Sequence, residues 1–133
     1  MGLLAALDWT ARKTREFYRE INVWTTWDLT DEEIPETLKI VLLRLVQEAV
    51  NNAVKHSGAD RITIRLRRSG TGLELFVGDN GKGFGTEGDR SPESGGGMGL
   101  DGMMERVELS GGEIDIRSSP GAGTEITARW PGE

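Results

Sequence analysis

Two pairs of alternating apolar and polar runs constrain the fold of this chain more than any other feature. In the first pair, residues 61–68 (RITIRLRR) and 73–77 (LELFV) flank the turn sequence Ser-Gly-Thr-Gly. In the second pair, residues 113–118 (EIDIRS) and 124–130 (TEITARW) flank Pro-Gly-Ala-Gly. Strict alternation is typical of half-buried strands, and a short turn between two such strands forces antiparallel pairing. The sequence therefore predicts two β-hairpins, and the apolar face that they share needs a covering layer.

Three helical segments are available to form that layer. The clearest is 38–55, where apolar residues recur at three- and four-residue spacing; they are Leu38, Leu42, Leu45, Val46, Ala49 and Ala53. Residues 1–20 and 99–109 are also expected to be helical, 22–29 to form a strand, and the acidic residues 31–33 to lie at a helix N-terminus. The sum of three helices and about five strands predicts an α+β fold, a two-layer α/β sandwich rather than a doubly wound parallel sheet.

Composition narrows the range of possible functions. The 133 residues fit one domain; they include no cysteine and one histidine, which excludes a disulfide framework and a multi-histidine metal centre. A net charge of −6 disfavours direct nucleic-acid binding. No apolar run approaches the ~20 residues that span a bilayer, and no signal-peptide pattern opens the chain. We expect a soluble, cytoplasmic domain or a fragment of a larger protein.

The helix 38–55 carries the first set of candidate site residues. Glu48, Asn52 and Lys55 follow one another at spacings of four and three residues, so they share a stripe beside the apolar face. Carboxylate and carboxamide oxygens suit a hard cation such as Mg²⁺, and an ammonium group suits phosphate. The alternative is that this stripe is simply the solvated face of an amphipathic helix.

A second set follows the strand 73–77, where residues 79–84 read Asp-Asn-Gly-Lys-Gly-Phe. Glycines at this point allow a flat ligand to approach the backbone closely, and the Asp79 carboxylate can accept a hydrogen bond from an exocyclic amine. The alternative is a turn without a ligand, since Asp-Asn-Gly favours turns. We expect residues 79–97 to form a long loop.

A third set, residues 95–100 (GGGMGL), leads into the helix 99–109. Glycine-rich backbone at a helix N-terminus is suited to binding phosphate. The spacing also matches G-x-G-x-x-G, but no strand precedes it, so a dinucleotide-binding fold is rejected. The chain contains no P-loop motif, which rules out a P-loop nucleoside triphosphatase, and no Gly-x-Ser-x-Gly elbow, which disfavours a Ser/His hydrolase.

In this order, the three sets resemble the boxes of the ATP-binding domain of sensor histidine kinases, in the superfamily that includes DNA gyrase, heat-shock chaperone and mismatch-repair ATPases. Residues 47–56 (QEAVNNAVKH) resemble the N box, 79–84 the first glycine box, 97–100 the second, and 123–126 (GTEI) the closing strand. The similarity covers about 29–131, and more loosely the N-terminal helix and strand. It implies a Bergerat-type fold, with a mixed sheet and three helices on one face.

The resemblance also implies ligands and roles for individual residues. Asn52 would ligate a Mg²⁺ ion that bridges the phosphates of ATP, with Glu48 beside it as a metal–water ligand or as the catalytic base. Lys55 would contact phosphate, and His56 would lie near ribose or phosphate. Asp79 would bind the adenine amino group. The other expected ATP-binding residues line the base or the phosphates: Gly81, Gly83, Gly97, Met98, Gly99, Leu100 and Thr124. Residues 85–97 would form a lid that is mobile without nucleotide.

The implied function is that of a histidine kinase catalytic domain, which donates the γ-phosphoryl group of ATP to a histidine on a neighbouring dimerisation domain. Transfer to a response regulator would follow, and the full-length kinase could be anchored in a membrane. This chain lacks the acceptor histidine, so it should not autophosphorylate alone. We assign residues 1–20 to a helical tail from the acceptor region and 21–133 to the ATP-binding domain.

The chain departs from the family pattern at Met104, where relatives often carry a basic residue. Arg106, Lys82 or Arg90 could replace the missing phosphate contact. Two alternatives remain at this stage: a stand-alone serine kinase of the anti-sigma-factor type, and a nucleotide-binding scaffold without catalysis. The N-terminal segment LLAALDWTARKTREF argues against the first, since it resembles the stretch between acceptor and ATP-binding domains. Intact box residues argue against the second.

Overall fold

The structure, a computed structural model, describes residues 2–55, 58–83 and 99–132. These residues form three α-helices and five β-strands, with a short 3₁₀ turn at Asp31–Glu33. The helices are α1 (Leu3–Phe17), α2 (Glu36–Lys55) and α3 (Leu100–Leu109). The strands are β1 (Asn22–Asp28), β2 (Arg61–Ser69), β3 (Gly72–Asp79), β4 (Glu113–Ser118) and β5 (Thr124–Trp130). The predicted number and type of elements are confirmed.

The five strands form one mixed sheet in the order β1-β2-β3-β5-β4. Both predicted hairpins are present, because β2 pairs with β3 and β4 pairs with β5, each antiparallel. Strand β1 lies parallel to β2 at one edge, and β3 pairs with β5 in the centre. The second hairpin therefore joins the sheet through β5, which lies between β3 and β4. Because β3 and β5 are antiparallel, the C-terminal end of β3 lies beside the N-terminal end of β5.

The core lies between the sheet and the helices. Ile62, Ile64 and Leu66 alternate along β2 and are fully buried, as the strand periodicity predicts. Helix α2 packs on β2 and β3, and on both other helices. All six residues of its predicted apolar stripe are buried; they are Leu38, Leu42, Leu45, Val46, Ala49 and Ala53. Among the described residues, no helix is long and apolar enough to cross a membrane.

Helix α1 is packed as part of this core. Leu3, Leu7 and Ala11 are buried in the same cluster as α2 and the sheet. The Arg15 guanidinium donates two hydrogen bonds, of 3.0 and 2.7 Å, to the carbonyl oxygen of Val23 on the edge strand β1. The helix ends at Phe17, three residues before the predicted end. Its assignment to a preceding acceptor region stays a prediction.

The acidic residues before α2 form a turn of their own instead of the helix N-terminus that we expected. The Thr30 amide donates to Glu33 Oε1 at 2.9 Å and so closes the turn. Ile34 then adopts an extended conformation. It precedes Pro35, whose ring disfavours helical geometry at the residue before it. The 3₁₀ turn and α2 are thus separate, and α2 begins at Glu36.

Alternating charges cross the face of the sheet opposite the helices. The strand register aligns Asp28, Arg67, Glu74, Arg129 and Glu113 in one row. Glu74 is at its centre with a side chain only 13% exposed, and accepts hydrogen bonds from both arginines at 2.8–2.9 Å. Partial burial raises the pKa of the Glu74 carboxyl, but hydrogen bonds from Arg67 and Arg129 outweigh it and hold this pKa below its ordinary value.

Glu74→Gln is expected to reduce the free energy of unfolding at neutral pH by about 1–2 kcal/mol, since it weakens two charge-assisted hydrogen bonds. The folded-state pKa is depressed, so the stabilisation exists above the unfolded pKa of about 4.3 and is lost as the pH falls through the folded pKa. Denaturant unfolding should show the two proteins converging as the pH falls below this unfolded pKa. Glu113→Gln, at the exposed end of the row, is the control; a difference for Glu74→Gln that does not change with pH would contradict this account.

Candidate functional site

Asp79 is the last residue of β3, the central strand of the sheet. Along β3 it alternates in phase with Leu75 and Val77, so its side chain lies on the face that the helices cover. The register places it between Ile62 on β2 and Thr124 on β5. The expected loop therefore begins after Asp79 and not at it, because pairing on both sides extends β3 to this residue.

The turn after β3 is fixed by side-chain hydrogen bonds. Asp79 Oδ1 accepts the amide of Gly81 at 2.8 Å, and Gly81 is buried. The Asn80 amide accepts the backbone N–H groups of Asp60 and Arg61 at 3.1 and 2.9 Å, and donates to the Asp60 carboxylate at 2.6 Å. Since residue 60 follows α2 by only five residues, these bonds hold the C-terminal end of α2 at the same end of the sheet as Asp79.

Two glycines allow the β4–β5 turn to pack closely against this end of the sheet. Gly123 has φ +77°, and a Cβ there would collide with the Asp79 carbonyl oxygen. Gly83 has φ +68°, and a Cβ there would collide with the carbonyl oxygen of Ser119. Backbone packs directly on backbone at both points, a contact open only to glycine.

Thr124 is buried and pairs with Asp79 across β5 and β3; its role in closing a pocket stays a prediction. The Ser118 hydroxyl donates to the Gly123 carbonyl at 3.0 Å and shares a 2.9 Å hydrogen bond with the Thr124 hydroxyl. These bonds orient the Thr124 side chain at the end of β5. Thr124, Asp79, Gly81 and Gly83 thus belong to one group of predicted site residues.

The predicted polar stripe of α2 lies along the edge of the helix–sheet interface. Glu48 and Asn52 are half-buried, and Lys55 is exposed at the last turn. Ala49 and Ala53, next to them in sequence, are buried against the core. Glu48 and Asn52 are therefore not on a fully solvated face, which was the alternative interpretation of this stripe.

The start of α3 contacts Glu48. Gly99 caps the helix with φ +76°, and a Cβ on it would coincide with Glu48 Oε1. The next residue, Leu100, is buried and fixes α3 on the core. Glu48, Gly99 and Leu100 thus form a second group. Asn52 and Lys55 lie between Glu48 and the C-terminal end of α2, the end that the Asn80 hydrogen bonds hold near Asp79.

Four predicted features lie outside the described residues: His56, Gly97, Met98 and the 85–97 lid. Arg90, one of the proposed substitutes for a basic residue at 104, lies there as well.

Sequence reasoning overlooked most of a polar cleft between α2 and α3. The cleft has a volume of about 450 Å³. It is lined by Arg44, Gln47, Glu48, Asn51, Gly99, Gly102 and Arg106. Only Arg106 among its basic residues was considered, as a substitute for a phosphate contact. Arg44 could have been found, because it precedes Glu48 by four residues and extends the same stripe of α2.

Comparison with known proteins gives the family. Residues 37–133 match the family described as "Histidine kinase-, DNA gyrase B-, and HSP90-like ATPase". The chain belongs to this family. Membership confirms the predicted fold and the resemblance of the box motifs, and it implies that the chain uses a nucleotide.

Curated relatives of this family member are sensor kinases. The chain is 39% identical over 100 residues to the signal transduction histidine-protein kinase/phosphatase DegS of Brevibacillus brevis, covering 75% of this chain and 25% of the relative. It is 34% identical over 116 residues to the sensor histidine kinase LiaS of Bacillus subtilis, covering 87% and 31%. The chain is thus homologous to sensor histidine kinases, which favours that prediction over a serine kinase or a scaffold. It spans about a third or less of each relative.

Solved structures show the same fold. The Erythrobacter litoralis EL346 blue-light activated histidine kinase superposes with a TM-score of 0.74 at 27% identity, covering 98% of this chain and 42% of the other. The ATP-binding domain of PrrB from Mycobacterium tuberculosis superposes with a TM-score of 0.69 at 24% identity, covering 100% and 96%. The three-helix, five-strand arrangement, including α1, is therefore a shared architecture.

Gly123→Ala is expected to destabilise the end of the sheet by more than about 1 kcal/mol and to weaken nucleotide binding, because the added methyl group would displace the Asp79 backbone. Gly121→Ala is a matched control in the same turn, since Gly121 also has a positive φ (+81°) but nothing lies within 4 Å of its added Cβ. Urea unfolding and calorimetric titration with ADP measure the two effects. Equal losses in both variants would show that only backbone strain matters, and not the contact with Asp79.

Proposed function

We propose that this chain is the Mg²⁺–ATP-binding catalytic domain of a sensor histidine kinase. One observation carries the proposal most directly: Asp79 ends the central strand on the helix-covered face, at the end of the sheet where α2 also ends. The Asp79 carboxylate, which can accept a hydrogen bond from the base, thus borders the space between the sheet and the helices. The polar side chains of α2, which offer oxygen and ammonium groups, border the same space.

The adenine end of the proposed site is made of one carboxylate and glycine backbone. Asp79 accepts a hydrogen bond from the exocyclic amino group of the base, since a carboxylate there has only acceptor oxygens. Gly81 follows Asp79 without a side chain, Gly83 packs on the β4–β5 turn, and Thr124 closes the pocket from β5. The hydrogen bonds of Asn80 and Ser118 keep this end preorganised, which lowers the entropic cost of binding.

The residues present fit a magnesium ion held together with a nucleotide. Asn52 supplies an amide oxygen and Glu48 a carboxylate oxygen, both suited to a hard cation. Among the described residues, no three carboxylate, histidine or cysteine side chains form a metal cluster of their own. The phosphates would therefore complete the coordination, as is usual for Mg²⁺. When bound, the ion neutralises phosphate charge, and Lys55 adds a cation at the end of α2.

The proposed reaction moves the γ-phosphoryl group to a histidine on a neighbouring domain. A neutral imidazole nitrogen attacks the γ-phosphorus, an N–P bond forms, the bond to the β-phosphate bridging oxygen breaks, and ADP leaves. The domain's part is to position the phosphates and neutralise their charge. Glu48, held against Gly99, would either orient a water bound to the metal or accept the proton of the imidazole.

Several further features belong to this proposal. The acceptor histidine lies in a part of the kinase outside this chain, and a response regulator receives the phosphoryl group. The domain works in the cytoplasm, and the full-length kinase could be anchored in a membrane. Residues 1–20 continue from the dimerisation region. The support for these features is the similarity to kinases that are three to four times as long as the aligned segment.

Asp79→Asn is expected to raise the dissociation constant for ADP and ATP by at least about 30-fold, because it weakens a charge-assisted hydrogen bond to the base worth about 2–3 kcal/mol. The folded structure should persist, since asparagine keeps an oxygen to accept the Gly81 amide. Calorimetric titration with Mg²⁺ and each nucleotide measures the change, and Asp115→Asn on the exposed edge strand β4 is the control. Binding unchanged in Asp79→Asn would refute the adenine assignment, and absence of binding in the wild type would refute the function.

A further inference from the structure

The side chain of Asn80 joins the turn after β3 to the segment that connects α2 with β2. Its Oδ1 atom accepts the backbone amides of Asp60 and Arg61 at 3.1 and 2.9 Å, and its Nδ2 atom donates to the Asp60 carboxylate at 2.6 Å. A backbone N–H can only donate and an ionised carboxylate can only accept, so these partners fix the orientation of the Asn80 amide. These three bonds all reach one short stretch of the chain.

The Asn80 bonds begin where the pairing of β2 with β3 ends. The last pair of that ladder at this end of the sheet is Ile62 with Asp79. Beyond it, the backbone amide of Asn80 donates to the Arg61 carbonyl oxygen at 3.3 Å. The Asn80 side chain then extends the contact between the two strands to Asp60.

The segment that Asn80 holds is attached in turn to the end of α2. The Ala59 amide donates to the carbonyl oxygen of Ala53 at 3.4 Å, and both alanines are buried. Ala53 directly follows Asn52, the proposed metal ligand. Two hydrogen-bonded steps therefore join the turn after β3 to the helix that carries Asn52.

We propose that Asn80 is a positioning residue for the nucleotide, which acts through Asp60 to fix the C-terminal end of α2 relative to Asp79. The inference rests on the proposed function, in which Asp79 on β3 binds the base and Asn52 on α2 binds the metal. One ligand can occupy both groups only if the strand and the helix keep a fixed separation. Binding and catalytic groups tolerate errors of only about 0.5–1 Å in their placement.

The contacts of Asn80 favour this role over direct contact with a ligand. Its Oδ1 atom already accepts two amides, which uses both lone pairs of that oxygen. One N–H of its Nδ2 atom is bonded to Asp60. The side chain is therefore committed to holding the α2–β2 connection.

The base acceptor is held by other contacts. Asp79 pairs with Ile62 on one side and Thr124 on the other, and its carboxylate accepts the Gly81 amide. Loss of the Asn80 side-chain bonds should therefore displace the end of α2 and leave Asp79 in place.

Exchange of the two paired side chains tests the proposal, by calorimetric titration of this chain with ADP and Mg²⁺. Asn80→Asp places two carboxylates against each other, and Asn80→Ala removes the side-chain bonds without adding charge. Each is expected to raise the dissociation constant for ADP at least about fivefold. Asn80→Asp combined with Asp60→Asn again places a donor opposite an acceptor, and should bind ADP within about twofold of the wild type.

Two further variants are controls. Asp60→Asn alone should bind ADP like the wild type, because its amide oxygen still accepts from Asn80 Nδ2. Glu74→Gln, on the other face of the sheet, lowers stability away from the site and should leave ADP binding unchanged. If an Asn80 variant does not fold in urea-unfolding controls, Asp60→Ala removes just the 2.6 Å bond and should raise the dissociation constant at least about twofold.

The outcomes separate the positioning role from the proposed function. A paired variant that binds ADP as weakly as Asn80→Asp, or unchanged binding in the Asn80 variants, would overturn the positioning role. Equal weakening in Glu74→Gln would overturn it as well, because loss of stability would then explain the effect. A wild type that does not bind nucleotide would overturn the proposed function itself.

Discussion

The packing of helix α2 on the central strands is the constraint on which the rest of the molecule depends. Leu42 and Val46 are completely buried, so α2 cannot rotate without exposing them to water at a cost of about 1.5–3 kcal/mol each. This fixed rotation leaves Glu48 and Asn52 at the border between core and solvent. The chemistry of the site therefore depends on the apolar side of the same helix.

The two ends of the proposed site are built differently. Around Asp79, backbone meets backbone at Gly83 and Gly123, and side-chain hydrogen bonds from Asn80 and Ser118 fix the turns. Around Glu48, side chains from α2 and α3 form a wider, polar cleft. A rigid end suits recognition of a flat base, whereas an open end lined with charges suits a phosphate group and the partner that receives it.

The local elements could be predicted from the sequence because local periodicity specifies them. Alternation at 61–68 and 124–130 identified both hairpins, and the stripe of Leu42, Val46 and Ala49 identified α2. The mixed sheet was predicted only from the resemblance of the box motifs to those of the family. Periodicity alone gives neither the parallel pairing of β1 with β2 nor the insertion of β5 beside β3, because a strand's neighbours depend on contacts distant in sequence.

The features of the structure that were predicted wrongly or overlooked have local causes. The predicted loop began too early because the stretch from Asp79 onward has almost no apolar residues, whereas pairing with Ile62 and Thr124 keeps Asp79 in the strand. The acidic turn was joined to α2 because the effect of Pro35 on Ile34 was not considered. Arg44 was overlooked although it extends the stripe of Glu48 by one turn, because an arginine on a helix is ordinary in sequence and the approach of α3 was not predicted.

The most direct test of the account is a crystal structure of the chain with Mg²⁺ and a non-hydrolysable ATP analogue. We expect the adenine amino group within hydrogen-bond distance of an Asp79 carboxylate oxygen, and the metal ion coordinated by the Asn52 side-chain oxygen. The γ-phosphate should lie on the Glu48 side of that ion. An analogue bound elsewhere on the molecule, or a metal ion held away from α2, would contradict the central claim.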